Sequence, residues 1–218
     1  MKKSYLVIGA GRFGTSVSRT LCSLGHDVMV VDKDDAIIQQ ISGEVTDAVA
    51  TNVTSESSIK ALGVRDFDAV VLAIGFDVQA SIMAAILLME QEAKYIVAKA
   101  QTELHGRVLN KIGVNRVVFP ERDMGQKLAH NLIAPSVIDL IELSDDYSVV
   151  EVAAPDEMVG KTLLELNLRA RFGVSILAFR RNNNGKTLIS PSAEDVILSN
   201  DILVAVGENK YLKKLGWA

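Results

Sequence analysis

Short apolar runs alternate with amphipathic segments along the first 120 residues of the chain. Each run has the length and near-continuous apolar content of a strand buried on both faces, and the segment after it repeats apolar residues at helical spacing. Strands are predicted at residues 5–8, 27–31, 46–50, 69–74, 95–99 and 116–119. Helices are predicted between them at residues 14–24, 36–42, 56–62, 78–91 and 104–112. This alternation predicts an α/β fold, a doubly wound parallel sheet with helices on both faces.

The pattern changes after residue 121. A helix is predicted at residues 123–133, and Pro135 is expected to open a second helix over residues 136–143. Strands then follow at residues 148–152, 175–179, 187–190 and 201–207, with helices at 162–166 and near Leu212 and a polar turn at 182–185. We therefore predict a sheet domain over residues 1–122, crossover helices over 123–144 and a small α+β domain over 145–218.

A glycine-rich loop follows the first predicted strand. Gly9, Gly11 and Gly14 have the spacing G-x-G-x-x-G, and Asp32 ends the next apolar run. In Rossmann-type domains such glycines permit a tight turn, close approach of a pyrophosphate and packing of the following helix, while an acid about 20 residues later binds ribose. The alternative is a glycine turn used only for packing. Arg12 is unusual inside this loop. A cation at this position suggests that the ligand carries an additional phosphate.

Composition excludes several other classes of function. The net charge of −4 gives no general attraction to nucleic acid or to anionic lipid. The single cysteine cannot form an internal disulfide, which fits a reducing, cytoplasmic setting. The longest apolar stretch, residues 82–89, is too short to span a bilayer, so we expect no direct membrane insertion.

Polar residues and a glycine follow the later strands, at the rim where open α/β sheets bind ligands. Asn52 follows the third strand, Gly75 the fourth, Lys99 ends the fifth and Glu121 follows the sixth. Each also has an ordinary structural explanation as a turn residue, a solvated charge or an acid at a helix start. A carboxylate beside a polyphosphate would be repelled unless a cation intervenes, so Glu121 is a candidate metal ligand.

The three histidines are scattered, and no nucleophile–base pair, metal cluster or Walker loop is visible in the sequence. This favours a binding protein over an enzyme. A small NAD-dependent oxidoreductase remains the second interpretation, because the glycine loop and Asp32 permit it. An NAD-sensing module of a potassium system is the third.

Several stretches match one known family: residues 7–14, 25–28, 97–101, 108–113, 119–125, 143–148 and 167–173. The chain resembles the RCK (regulator of potassium conductance) or KTN family over essentially its whole length. The resemblance implies a Rossmann N-lobe that binds ATP, ADP or NAD(H) and acts as a sensor without catalysis. One departure is Asn52, which stands where many family members have an acid.

The resemblance also implies roles for individual residues. The phosphates would be held by the loop residues Gly9, Gly11, Arg12, Phe13 and Gly14. The ribose would be held by Asp32, Lys33 and Asp34, and the base by Asn52, Val53, Ile74, Gly75 and Phe76. The pocket would be completed by Lys99, Ala100, Gln101 and His105. Arg12 would reach the γ-phosphate bound by a neighbouring subunit, and Glu121 would serve an associated Mg²⁺, Ca²⁺ or Na⁺.

In the C-lobe, the resemblance implies cyclic di-AMP bound at a dimer interface, with Arg169, Ile176 and Pro191 as contacts. It further implies homodimers that assemble into an octameric ring on the cytosolic face of a membrane channel subunit, KtrB. ATP would favour the active assembly, and ADP and cyclic di-AMP the inactive ones. The apolar positions of residues 123–143 would build the dimer: Leu128, Leu132, Ile133, Val137, Ile138 and Ile141.

Overall fold

The computed structural model describes residues 1–133, 136–181 and 186–217. The chain forms two units, a first unit over Met1–Asp123 and a second unit over Met124–Ala218. Pro135 and the predicted polar turn at residues 182–185 lie outside the described residues. No helix in the described part of the chain has the length and apolar character needed to cross a membrane.

The first unit is built on a parallel sheet of six strands in the order β3-β2-β1-β4-β5-β6. The strands are β1 (Ser4–Ile8), β2 (Asp27–Asp32), β3 (Asp47–Ala50), β4 (Ala69–Leu72), β5 (Ile96–Lys99) and β6 (Arg116–Val118). The strand order reverses between β1 and β4, which are direct neighbours. This confirms the predicted doubly wound α/β fold.

Helices cover both faces of this sheet. They are α1 (Arg12–Ser23), α2 (Asp35–Ile41), α3 (Glu56–Ala61), α4 (Val78–Glu90) and α5 (Glu103–Ile112). Helix α6 (Pro120–Ile133) follows β6 and continues into the second unit. Alternate β1 residues point to opposite faces, since Leu6 and Ile8 join one core cluster and Val7 the other. The strands are therefore apolar on both faces, which explains their continuous apolar runs in the sequence.

The second unit contains an antiparallel sheet in the order β10-β9-β11-β8-β7. The strands are β7 (Val137–Glu142), β8 (Tyr147–Ala153), β9 (Ser175–Arg180), β10 (Thr187–Ile189) and β11 (Ile202–Glu208). The helices after β8 are α7 (Leu163–Leu166), α8 (Leu168–Phe172) and α9 (Asn209–Lys214). Phe179, Leu203, Leu212 and Trp217 are buried together in its core, as expected for a small α+β domain.

The predicted second crossover helix over residues 136–143 is wrong. Val137–Glu142 forms strand β7, paired antiparallel with β8 from Val137 opposite Val152 to Glu142 opposite Ser148. The apolar spacing of this segment fits a helix or a strand, but its valine and isoleucines favour a strand. Pairing with β8 decides the outcome. The predicted crossover helices are therefore one helix, α6, followed by a strand, and α6 begins at Pro120 rather than at residue 123.

We predict that Leu212→Ala lowers the free energy of unfolding of the second unit by about 2–5 kcal/mol, because it leaves a cavity in a closed core. Leu212 is fully buried in the cluster that contains Trp217. Urea unfolding followed by fluorescence measures this, because Trp217 is the only tryptophan and is 1% exposed. The control is Leu164→Ala, at a leucine 67% exposed. It should change the value by less than about 0.5 kcal/mol, and equal losses for both variants would contradict the assigned core.

Candidate functional site

A crevice is expected where the strand order of the first unit reverses, beyond the C-terminal ends of β1 and β4. The loop from β1 to α1 begins here with Gly9, whose N–H donates to the carbonyl oxygen of Val31 over 2.7 Å. On the other side, the N–H of Ala73 donates to the carbonyl oxygen of Ile8, also over 2.7 Å. The backbones leaving β1, β2 and β4 are thus tied together at the site.

The three glycines of the loop have different structural roles. Gly9 has a φ of +98°, and a Cβ added at Gly14 would lie 1.9 Å from the carbonyl oxygen of Gly9. Gly9 and Gly14 are therefore required for the turn and for the packing of α1. A Cβ added at Gly11 would meet no atom within 4 Å, so Gly11 borders open space. That space is where a ligand could approach the backbone closely.

The loop leads into the N-terminus of α1, which no side chain caps. Gly11 is the N-cap of α1 and makes no side-chain cap hydrogen bond, and the first turn contains no acidic residue. The first backbone N–H groups of a helix have no intrahelical partner and, with the helix dipole, attract anions. This arrangement suits a phosphate. Arg12 is exposed, and among the described residues no hydrogen bond or ion pair engages its guanidinium group.

Asp32 is held against the glycine loop. Its Oδ2 accepts a hydrogen bond from the N–H of Ala10 over 2.7 Å, and its Oδ1 accepts one from the N–H of Asp34 over 3.1 Å. The carboxylate is therefore oriented before any ligand arrives, at the end of β2 where a ribose is expected. The contact with Ala10 was not predicted from the sequence, although the spacing of the acid after the loop is the signal that points to it.

Neighbouring predicted contacts on this side have local structural roles as well. Lys33 and Asp34 are exposed, and Oδ1 of Asp34 caps α2 by accepting from the N–H of Ala36. Oδ1 of Asn52 accepts from both the N–H and the hydroxyl of Thr54, which closes a turn. Val53 is buried in the core. The side-chain NH₂ of Asn52 remains free for a ligand within the described structure.

The segment after β4 approaches the end of β5. A Cβ added at Gly75 would lie 3.5 Å from Nζ of Lys99 and 3.7 Å from Nε2 of Gln101. Ile74 is half-buried against the core, whereas the ring of Phe76 is fully exposed. The structure therefore brings Gly75, Lys99 and Gln101 together beyond the ends of β4 and β5.

Lys99 is the buried cation of the site. Its Nζ donates to Oε1 of Glu121 over 2.5 Å and lies 5.9 Å from the centroid of the Phe13 ring. Hydrogen bonding from Lys99 lowers the pKa of the Glu121 carboxyl below its ordinary value. Ala100 lies in the core, and its N–H donates to Val118. Lys99 thus connects the loop after β4, the glycine loop and the first turn of α6.

His105 supports the site from within the first unit. It is 2% exposed, and its Nδ1 accepts from the N–H of Gln101 over 3.4 Å. Its own N–H donates to Oγ1 of Thr102, the N-cap of α5. Burial lowers the pKa of His105, so the imidazole is neutral and the accepting Nδ1 leaves the proton on Nε2. Nε2 is buried with no partner among the described residues.

The described residues contain no group of three or more His, Cys, Asp or Glu side chains that could hold a metal ion. A cation at Glu121 would receive one protein carboxylate and would need its other ligands from phosphate or a second subunit. Such a ligand set is normal for Mg²⁺ beside a nucleotide.

The three residues predicted to contact a cyclic dinucleotide lie in the second unit. Arg169 is exposed in α8, Ile176 is half-buried in β9 and Pro191 is half-buried after β10. The N–H of Ser190 donates to the carbonyl oxygen of Leu177 over 2.8 Å, which places Pro191 next to β9. Helix α8, which carries Arg169, is absent from the sequence prediction.

Two domain families match this chain. A TrkA-N domain covers residues 5–120, and a TrkA-C domain covers residues 147–216. The Ktr system potassium uptake protein C of Bacillus subtilis is 42% identical over 95% of this chain and 93% of its own length. The Ktr system potassium uptake protein A of the same organism is 40% identical over 97% and 95%.

Solved structures share the fold at lower identity. The RCK domain of GsuK superposes with a TM-score of 0.70 at 20% identity, over 99% of this chain and 47% of that chain. The GsuK channel bound to NAD gives a TM-score of 0.69 at 20% identity, over 97% and 38%. At this identity the likeness shows the fold alone.

We predict that Gly11→Ala leaves the fold intact but weakens binding of ADP by roughly tenfold, because the new methyl group occupies the open space where a phosphate is expected. Gly14→Ala is the matched comparison and should destabilise the protein itself, since its methyl group would overlap the backbone of Gly9. Thermal unfolding and calorimetric titration with ADP separate the two effects. Unchanged ADP affinity in folded Gly11→Ala would place the ligand elsewhere.

Proposed function

Since the chain belongs to the family of potassium uptake proteins built from a TrkA-N and a TrkA-C domain, we propose that it is the nucleotide-sensing regulatory subunit of a Ktr-type potassium uptake system. Its relatives of 40–42% identity, named Ktr system potassium uptake proteins, match it over 95–97% of its length. The observation that carries the nucleotide part of the proposal is the glycine loop, with Gly11 beside open space and Arg12 unpaired in the described structure.

In this proposal ATP and ADP compete for one site and differ in the assembly they stabilise. The helix N-terminus and Gly11 hold the shared diphosphate, and Asp32 receives the ribose. A ligand shifts an equilibrium between two assemblies only by its difference in affinity for them. The discriminating contact must therefore be at the third phosphate. Arg12, a permanently charged group with several N–H donors, is suited to it and would act on the nucleotide of a neighbouring subunit.

NAD(H) is the alternative ligand of the same site. A GsuK channel has been seen bound to NAD and another GsuK structure bound to ADP, both on the same fold. The Asp32 carboxylate suits either nucleotide, because both carry a ribose. We place ATP and ADP first, since Arg12 in the loop favours a ligand with an additional phosphate.

Three further features of the proposal rest on the family. A Mg²⁺, Ca²⁺ or Na⁺ ion beside the nucleotide would take Glu121 as its carboxylate ligand. Cyclic di-AMP would bind the second unit through Arg169, Ile176 and Pro191. The subunit would act in the cytoplasm, at the inner face of the membrane, on a channel subunit of the KtrB type.

Assembly into homodimers and an octameric ring is also proposed. Met124, Leu128 and Leu132 recur every four residues along α6 and are 64%, 57% and 72% exposed. Such spacing forms one apolar stripe on a helix, and contiguous exposed apolar surface indicates an interaction site. A second copy of the chain would cover this stripe.

A titration with four ligands tests the proposed function. We expect calorimetry to show ATP and ADP binding more tightly than NADH, with cyclic di-AMP binding independently of them in the second unit. If NADH binds most tightly and its absorbance changes with a small-molecule substrate, the oxidoreductase interpretation replaces this one. If NADH binds most tightly with no such change, the protein is an NAD sensor.

We predict that Arg12→Ala weakens the binding of ATP by roughly 10- to 100-fold, the range expected for a lost charged hydrogen bond. The affinity for ADP should change by less than about twofold, because ADP lacks the third phosphate. Arg19→Ala is the matched control: Arg19 is exposed on the same helix but pairs with Glu44, so its loss should affect neither nucleotide. Equal losses of ATP and ADP affinity in Arg12→Ala would contradict this role of Arg12.

A further inference from the structure

The ion pair between Lys99 and Glu121 joins two groups in very different environments. The Lys99 side chain is 9% exposed, whereas that of Glu121 is 70% exposed. Glu121 is the one carboxylate in ion-pair contact with Lys99 in the described part of the chain. A buried ammonium group requires a compensating anion, but an exposed carboxylate exchanges readily with water. The buried Lys99 therefore requires the compensating charge of this ion pair, whereas the exposed Glu121 side chain is held in it only weakly.

Lys99 lies beside residues that border the candidate ligand site. Its Nζ lies beside Gly75, which follows β4, and 5.9 Å from the Phe13 ring in the first turn of α1. Both residues border the point where the strand order reverses. An anion held at the N-terminus of α1 would thus reach the ammonium group of Lys99, which Glu121 now contacts.

We propose that Glu121 is an intramolecular competitor of the ligand: it neutralises Lys99 in the empty site, and a phosphate group of a nucleoside di- or triphosphate displaces it. The proposal deepens the proposed function, on which it rests, by assigning a regulatory contact to that site. A phosphate carries more negative charge and more acceptor oxygens than one carboxylate, so it competes effectively for Nζ.

The exchange has a structural consequence. Glu121 lies in the first turn of α6, which begins in the first unit and continues into the second. Displacement of its carboxylate removes a contact between the end of β5 and the start of this helix. Ligand binding would thereby release Glu121, the residue through which the start of α6 contacts the end of β5. A purely structural ion pair would have no such link, and its loss would not improve binding.

The direction in which Glu121→Gln changes the affinity for ADP tests the proposal. Glu121→Gln should bind ADP roughly two- to fivefold more tightly than the wild type in calorimetry with EDTA present, because an exposed ion pair of modest strength no longer competes. Adenosine, which lacks phosphate, should bind equally to both proteins. The matched control is Glu103→Gln, which removes the same charge from an acid that pairs with Arg122 instead of Lys99. It should leave ADP affinity within the experimental error.

A double-mutant cycle identifies Lys99 as the contested group. Lys99→Met should weaken the binding of ADP by roughly 10- to 100-fold. Adding Glu121→Gln to this variant should not increase its affinity for ADP. Circular dichroism and thermal unfolding establish that each variant is folded. A gain of the same size in the Lys99→Met background would show a general charge effect and overturn the proposal.

The test distinguishes this proposal from the proposed function. If wild-type protein binds ADP and Glu121→Gln binds it equally or more weakly, Glu121 is not a competitor, while the nucleotide-sensing function remains. If the wild type binds neither ATP nor ADP, the nucleotide-sensing function fails and this proposal fails with it.

Discussion

The close approach of helix α1 to the end of strand β1 is the constraint on which the rest of the candidate site depends. The distance from Gly14 to the carbonyl oxygen of Gly9 leaves no room for a side chain, because a Cβ at Gly14 would lie 1.9 Å from that oxygen. This packing directs the uncapped N-terminus of α1 at the crevice and places Gly11 and Arg12 at its edge. It also brings the N–H of Ala10 within 2.7 Å of Asp32. The positions proposed for phosphate and ribose thus depend on one backbone contact.

A second group of contacts determines how the site is connected to the rest of the chain. Lys99 ends β5 and pairs with Glu121 at the start of α6, while buried His105 holds the N–H of Gln101. Neither interaction lies in the glycine loop, yet both place groups beside the same crevice. In a protein proposed to sense nucleotides, these contacts are where occupancy of the site can alter the helix that leads into the second unit. In the proposed function, the fold would supply the binding surface, and these polar side chains would supply the response.

Much of the fold could be predicted because the first unit follows strong local rules. Continuous apolar runs such as that of β1 occur where a strand is buried on both faces, and the glycine spacing identifies the turn that follows. The second unit is less predictable. Val137–Glu142 carries a pattern compatible with helix or strand, and only its pairing with β8 makes it a strand. Helix α8 has five residues, too few for a helical repeat to be evident in the sequence.

The sequence by itself determined the order of the elements in the first unit, the glycine loop, the acid at Asp32 and the family resemblance, because these depend on residue types at short, regular spacings. The tertiary structure alone decided which side chains meet across long spacings. It paired Lys99 with Glu121, 22 residues apart, and left Arg12 without a partner in the described part of the chain. It also gave the glycines different roles: Gly11 faces open space, whereas Gly9 and Gly14 pack closely against neighbouring backbone. Such contacts depend on how strand ends converge in space, which no local pattern encodes.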